Sequence, residues 1–117
     1  MTRHKINFEI MRSRHDFELV MRQGSRSRGK LVTVLASTRT DGSATGRVGI
    51  TVSKKVGNAV QRNLVRRRIK SAIRVFSVRT DCLVVIIARP DARLATFSDL
   101  NEEIGYCFGK LDLLDIL

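Results

Sequence analysis

Residues 54–74 read KKVGNAVQRNLVRRRIKSAIR, and the fold is decided by how this stretch is read. It carries eight basic side chains (Lys54, Lys55, Arg62, Arg66, Arg67, Arg68, Lys70, Arg74) and no acidic one. Asn58 is a good helix N-cap, Gln61 three residues on completes a capping-box pattern, and neither proline nor glycine follows within the stretch. On a 3.6-residue period Val65, Ile69, Ala72, Ile73 and Phe76 fall along one side, whereas Arg62, Arg66, Lys70 and Arg74, spaced four apart, run along another. The spacing predicts an amphipathic helix over about 59–76. Like charges four apart repel by about 0.2–0.5 kcal/mol per pair, which points to a polyanionic partner.

Working outward, the segment before this helix, RVGITVS at 47–53, alternates. Val48, Ile50 and Val52 point one way, and the small set Gly49, Thr51 and Ser53 the other. That second set suits either a solvated sheet face or a surface that a partner's backbone approaches closely. The segment after it, CLVVIIA at 82–88, is apolar throughout and predicts a strand buried on both faces. Strand, helix, strand in this order predicts parallel strands joined by a crossover.

Further out, residues 1–12 place Ile6, Phe8 and Ile10 in alternation, an extended lead-in. Ser13 with Asp16 starts a second capping box, Phe17, Val20 and Met21 follow at helical spacing, and Gly24 stops a short helix over about 14–22. Residues 25–30 read as a basic loop, LVTVLAST at 31–38 as a strand, and RTDGSATG at 39–46 as a hairpin loop. Beyond Arg89-Pro90-Asp91, Thr96 or Ser98 caps a final helix with an apolar stripe of Phe97, Leu100, Ile104, Cys107, Phe108, Leu111 and Leu114, and Tyr106 to its side. No repeat or linker divides the chain. A single domain over residues 1–117 results, of order α-β-β-α-β-α, an α+β or α/β two-layer sandwich.

The net charge of the 117 residues is +11, and it is unevenly placed. Residues 1–93 carry 21 basic and 6 acidic side chains, a net +15, while residues 94–117 carry 1 and 5, a net −4. Such a field favours nucleic acid or an anionic membrane surface over a merely solubilising role. The longest apolar run is too short to span a bilayer and the N-terminal residues lack a signal-peptide core, so a cytoplasmic location is expected. Cys82 and Cys107, without a Cys-x-x-Cys or Cys-His cluster, read as buried thiols and give a zinc site no support. His4 and His15 lack a nucleophile partner, and no carboxylates are paired at metal-ligand spacing, which disfavours a protein-only nuclease. Five Phe and one Tyr are too few for repeated base stacking across a sheet. Phe17, beside Met21, is the best candidate for contact with an unpaired base, with ordinary core packing the alternative for that position. A DNA-binding use of the basic helix lacks a helix-turn-helix partner.

The run VGITVSKKVGNAVQRN at 48–63, continuing to Arg66-Arg67, resembles the signature of the bacterial ribonuclease P protein subunit. Asp16-Phe17 with Gly24 resembles that family's first helix, and the strand ending in Ala88-Arg89 its last; the likeness spans essentially the whole chain. The resemblance implies a ribosomal protein S5 domain 2-like fold with a left-handed βαβ crossover through the basic helix, against the usual right-handed rule. It also implies an accessory subunit of an endoribonuclease whose RNA is the catalyst. The RNA holds the Mg2+ ions, and the particle removes the 5′ leader of precursor tRNA to leave a mature 5′ end. The expected partners are ribonuclease P RNA and precursor tRNA, with no membrane and a monomeric protein outside the particle.

Arg62, Asn63, Arg66, Arg67 and Lys70 match the motif helix. With Lys54, Lys55, Asn58, Arg68 and Arg74 they form the expected RNA-binding set. Phe17 matches a leader-cleft aromatic, and Met21 and Leu35 occupy leader-cleft positions where the family often has Phe and Tyr. Leu64 stands where the Arg-Asn-Arg triplet has its second arginine, with Arg68 at an often apolar position. The alternative reading is a ribosomal-type or other protein that binds structured RNA without catalysing or assisting cleavage.

Overall fold

The structure, a computed structural model, describes residues 8–38 and 46–114. The lead-in residue Ile6, His4 and all but the last residue of the 39–46 loop lie outside the described residues. Five strands, β1 (Glu9–Ile10), β2 (Ser25–Arg28), β3 (Val32–Thr38), β4 (Arg47–Thr51) and β5 (Cys82–Ala88), form one sheet in the order β1-β4-β5-β3-β2. The helices are α1 (Arg14–Gln23), α2 (Ala59–Ile73) and α3 (Phe97–Lys110), with a short 3-10 helix at Pro90–Leu94.

β5 takes the centre because its seven residues are apolar on both faces and need both covered. It pairs with β4 in parallel, Val48 opposite Val84, and with β3 antiparallel, Val34 opposite Ile86. The parallel pair joined through α2 is the predicted crossover. The 39–46 segment, however, does not close a hairpin: β5 lies between β3 and β4, so the chain passes from one side of the central strand to the other. The 25–30 loop is corrected as well. Ser25–Arg28 is an edge strand paired antiparallel to β3, and its Ser-Arg-Ser-Arg pattern hid it, since only Ser27 is buried.

Strand parity sorts the core. Val34, Ala36, Val48, Val84 and Ile86 face α2 and α3 and meet Val65, Ile69, Ile73, Leu100, Ile104 and Phe108 in the main cluster. This sheet-on-helix pair is the expected sandwich. Leu35, Leu83 and Val85 point to the opposite face, where α1 covers them with Val20, joined by Met11. Gly49 lies on that second face beneath Met11, whose Cβ and Sδ would each stand 3.3 Å from an added Cβ. Its smallness therefore admits a core methionine, not a partner's backbone.

α2 begins as expected: Asn58 Oδ1 accepts the Gln61 N–H and Gln61 Oε1 accepts the Asn58 N–H, both at 2.9 Å. It buries Val65, Ile69, Ala72 and Ile73. Each fully buried Val or Ile contributes about 1.5–3 kcal/mol, which outweighs the arginine repulsion without any ligand. The helix ends at Ile73, three residues short of the predicted end. The backbone turns there so that Phe76 can pack its ring 5.5 Å from that of Phe108.

In α1, Ser13 Oγ accepts the Asp16 N–H at 3.3 Å, but the Asp16 carboxylate turns to Arg47 Nη1 at 2.9 Å, so the capping box is half-formed. In α3 the cap is Thr96, paired with Asp99 in a full capping box. The Thr96 N–H holds the Asp99 carboxyl below the usual range. The predicted stripe runs on past the helix because Asp112, at φ +56°, reverses the chain. The reversal puts the Leu113 N–H on Phe108 O at 2.9 Å and buries Leu113. Cys82 and Cys107 are buried free thiols. Among the described residues no helix is long and apolar enough to cross a membrane.

Candidate nucleic-acid interface

The capped, packed α2 presents its cations on definite sides. Val65, Ile69 and Ile73 face the sheet, so Arg62, Arg66, Lys70 and Arg74 climb the adjoining flank, half-buried at the start and exposed by Lys70. Arg67 and Asn63 occupy the outer surface, and both are exposed. Asn63 Oδ1 accepts from Arg66 Nη1 at 3.1 Å, so the asparagine orients the neighbouring guanidinium. Lys54 and Lys55 stand exposed in the turn before the helix, at the end where backbone N–H groups already favour anions. Among the described residues the ion pairs involve Arg47 and Arg79, and none of the α2 cations has a carboxylate partner.

Two members of the expected set also have a role in the fold. The Asn58 side chain is spent on the capping box. Arg68 leaves the cationic flank: half-buried, it donates from Nη1 to Ala95 O at 3.3 Å, tying α2 to the end of the 3-10 helix. Leu64 lies beside it, 41% exposed, lining a small cleft with Gln61, Arg93 and Leu94. The position that departs from the triplet is thus on the side of α2 away from the Arg62–Arg74 flank.

On the opposite face of the sheet, Phe17 is half-buried against the second core cluster and Met21, one turn on, is 39% exposed. Leu35 is 1% exposed and is corrected from a cleft contact to a core residue: α1 covers it, so it supports Phe17 from below. Beyond α1 the same face continues as the cross-strand row Thr51, Ile87, Thr33 and Arg28, with Thr51 and Ile87 half-exposed. His15 is exposed, as expected. Among the described residues there is no cluster of three His, Cys, Asp or Glu that could hold a metal ion.

Two residues and one strand pairing escaped the sequence. Arg47, at the start of β4, is held by Asp16 at 2.9 Å and Glu9 at 3.4 Å. It lines a groove of about 860 Å³ with Arg12, Lys70 and Arg74. Glu103 accepts three backbone N–H groups from residues 30–32 and so fixes the turn that ends beside Lys30. Pairing of β1 with β4, which brings Arg12 near α2, spans almost forty residues and leaves no local pattern.

A five-stranded α+β sandwich with a parallel crossover through α2 defines the class. Solved structures share it. The Staphylococcus aureus RNase P protein superposes with a TM-score of 0.79 at 24% identity, covering 91% of this chain and 97% of that one. The Thermotoga maritima RNase P protein gives 0.71 at 25% identity, covering 84% and 93%. In sequence, the ribonuclease P protein component of Brucella melitensis biotype 1 is 44% identical over 107 residues, 81% of this chain and 74% of that protein. The corresponding protein of Clostridioides difficile is 38% identical over 102 residues, covering 84% and 87%. The family model described as Ribonuclease P matches residues 7–112. The chain belongs to the ribonuclease P protein family.

Proposed function

We propose that this chain is the protein subunit of ribonuclease P, docking on the ribonuclease P RNA through α2 and assisting removal of the 5′ leader from precursor tRNA. The observation that carries this reading is the row Arg62, Arg66, Lys70 and Arg74 with Arg67 beside it, free of carboxylate partners among the described residues. Guanidinium forks suit phosphate oxygens bidentately, and the spacing of one helical turn matches successive contacts along a folded RNA backbone. The residues of this surface bind and orient; they offer neither a general base nor a nucleophile. Bond cleavage on this reading belongs to the RNA and its Mg2+ ions, in the cytoplasm, and the protein is a monomer outside the particle.

The leader of the precursor tRNA is assigned to the other face, against Phe17 and Met21. An unpaired base has there an aromatic edge, a polarisable thioether and the half-exposed Thr51 and Ile87 beyond. The test is reconstitution with a bacterial ribonuclease P RNA and a precursor tRNA at near-physiological magnesium. The triple variant Arg62→Gln, Arg66→Gln, Arg67→Gln is expected to lose most of the stimulation of cleavage. Unchanged cleavage would overturn the assignment. With roughly 5–8 phosphates neutralised, log K for the RNA should fall against log salt with a slope on the order of −4 to −7.

A further inference from the structure

The groove between β1 and the C-terminal half of α2 lies on the main-core face of the sheet, the face opposite Phe17. Ile10 pairs with Val48, a fully buried core residue, yet is itself 40% exposed. The reason is geometric. α2 packs over β4, whereas β1 is the edge strand beyond it, so the apolar side of β1 is left partly uncovered beside the helix. Ile10 forms the exposed apolar floor, with the buried Ile73 and Phe8 behind it, in a groove of about 860 Å³. Arg12, Lys70 and Arg74 stand around it, all exposed, and among the described residues none makes an ion pair. Arg47 forms one end, its guanidinium set by Asp16 and Glu9, and Glu9 is the one acid in the lining.

Apolar floor and cationic rim together select a ligand with a flat apolar body and anionic flanks. A duplex presents phosphates but no free base face, and a free anion would leave Ile10 unused. We propose that this groove seats an unpaired nucleotide of ribonuclease P RNA, its base against Ile10 and the adjoining phosphates between Arg12, Lys70 and Arg74. The RNA subunit is the source, not the tRNA leader, because Lys70 and Arg74 continue the α2 flank without a break. The inference rests on the reading of α2 as an RNA-docking helix and extends that contact around the helix to the sheet edge.

Two measurements test it. Ile10→Cys carrying an azidophenacyl group is cross-linked in the particle reconstituted from full-length protein, ribonuclease P RNA and precursor tRNA; Cys82 and Cys107 are buried and stay unlabelled. The expected product is a cross-link to an unpaired nucleotide of ribonuclease P RNA. In parallel, Arg12→Gln with Arg74→Gln is expected to make the log K against log salt slope for that RNA shallower by about 1.4, two contacts at about 0.7 each. Cross-linking to the precursor or to neither RNA, or an unchanged slope while Arg62→Gln with Arg66→Gln weakens binding, overturns the groove and leaves the α2 reading intact. If the Arg62 and Arg66 variants also bind unchanged, the α2 reading fails and the groove falls with it.

Discussion

Glu103 Oε2 accepts the Leu31 N–H at 2.7 Å, a contact across 72 residues that fastens α3 to the turn between β2 and β3. The same oxygen takes the Val32 N–H at 2.7 Å, and Oε1 the Lys30 N–H at 3.1 Å. Gly29 leaves room for it, because a Cβ there would collide with the carboxylate. Arg89 Nη1 secures the other side of the turn by donating to Gly29 O at 3.0 Å. Glu103→Ala strands three donors, two of them half-buried, and is expected to cost about 2–3 kcal/mol, the range of a charge-assisted hydrogen bond. Glu103→Gln keeps one acceptor oxygen and should cost less. Urea unfolding of the two variants checks the order; equal stabilities would mean that water satisfies the turn.

The Asn58 side chain caps α2, and the cap can be separated from RNA contact by substitution. Asn58→Ala removes the acceptor for the Gln61 N–H and should destabilise by about 1 kcal/mol. Asn58→Asp keeps the acceptor and places a negative charge at the positive end of the helix, so stability holds or rises by a few tenths of a kcal/mol. The same charge stands among Lys54, Lys55 and Arg62 and should weaken RNA binding. Thermal melts and RNA titrations of both variants check this; an Asp variant that binds RNA as tightly as the parent would remove the N-terminal end of α2 from the interface.

Elements with a strong local signature were legible in the sequence, and features made by distant contact were not. α2 was readable because cap, period and charge all lie within twenty residues, and β5 because seven successive apolar residues admit few other readings. The end of α2 was misread because Phe76 continues the helical period, and only Phe108, far along the chain, draws it away. β2 was missed because an edge strand of Ser and Arg buries too little to show alternation. Of the candidate site, the clustering of cations on α2 was legible from charge. Nothing local reveals Ala95 O as a partner of Arg68, and the Arg12 side of the groove depends on the β1–β4 pairing.

Cys82 gives a pH dependence with a definite sign. Burial, then the neighbouring Asp81 carboxylate, push its thiol up to about 11 from the ordinary 9.0. The unfolded chain therefore loses this proton first. The stabilisation is complete below about pH 9 and is lost as the pH rises toward 11, by about 2–3 kcal/mol for a shift of this size. Cys82→Ala removes that component, so the gap in unfolding free energy between parent and variant should narrow from pH 8 to pH 11. A constant gap would mean that the thiol titrates alike in both states. At pH 8 a thiol reagent should label neither cysteine in the native protein and both in urea.

Arg67 and Arg68 are neighbours in sequence with opposite expected roles, and the comparison bears on the position of Leu64. Arg67 is exposed on the outer surface of α2, so Arg67→Gln should leave stability within about 0.5 kcal/mol while weakening RNA binding. Arg68 donates to Ala95 O, so Arg68→Gln should cost about 1 kcal/mol of stability and change RNA affinity little. Leu64 shares the Arg68 side, next to Arg93 and the exposed Leu94. An arginine introduced by Leu64→Arg would face Arg68 one turn on, and like charges at that spacing cost a few tenths of a kcal/mol. It would not extend the Arg62–Arg74 flank, and RNA affinity should rise by much less than removal of Arg66 lowers it. If instead Arg68→Gln binds RNA poorly and unfolds like the parent, its guanidinium leaves Ala95 for phosphate in the complex. The Leu64 side of α2 would then belong to the interface as well.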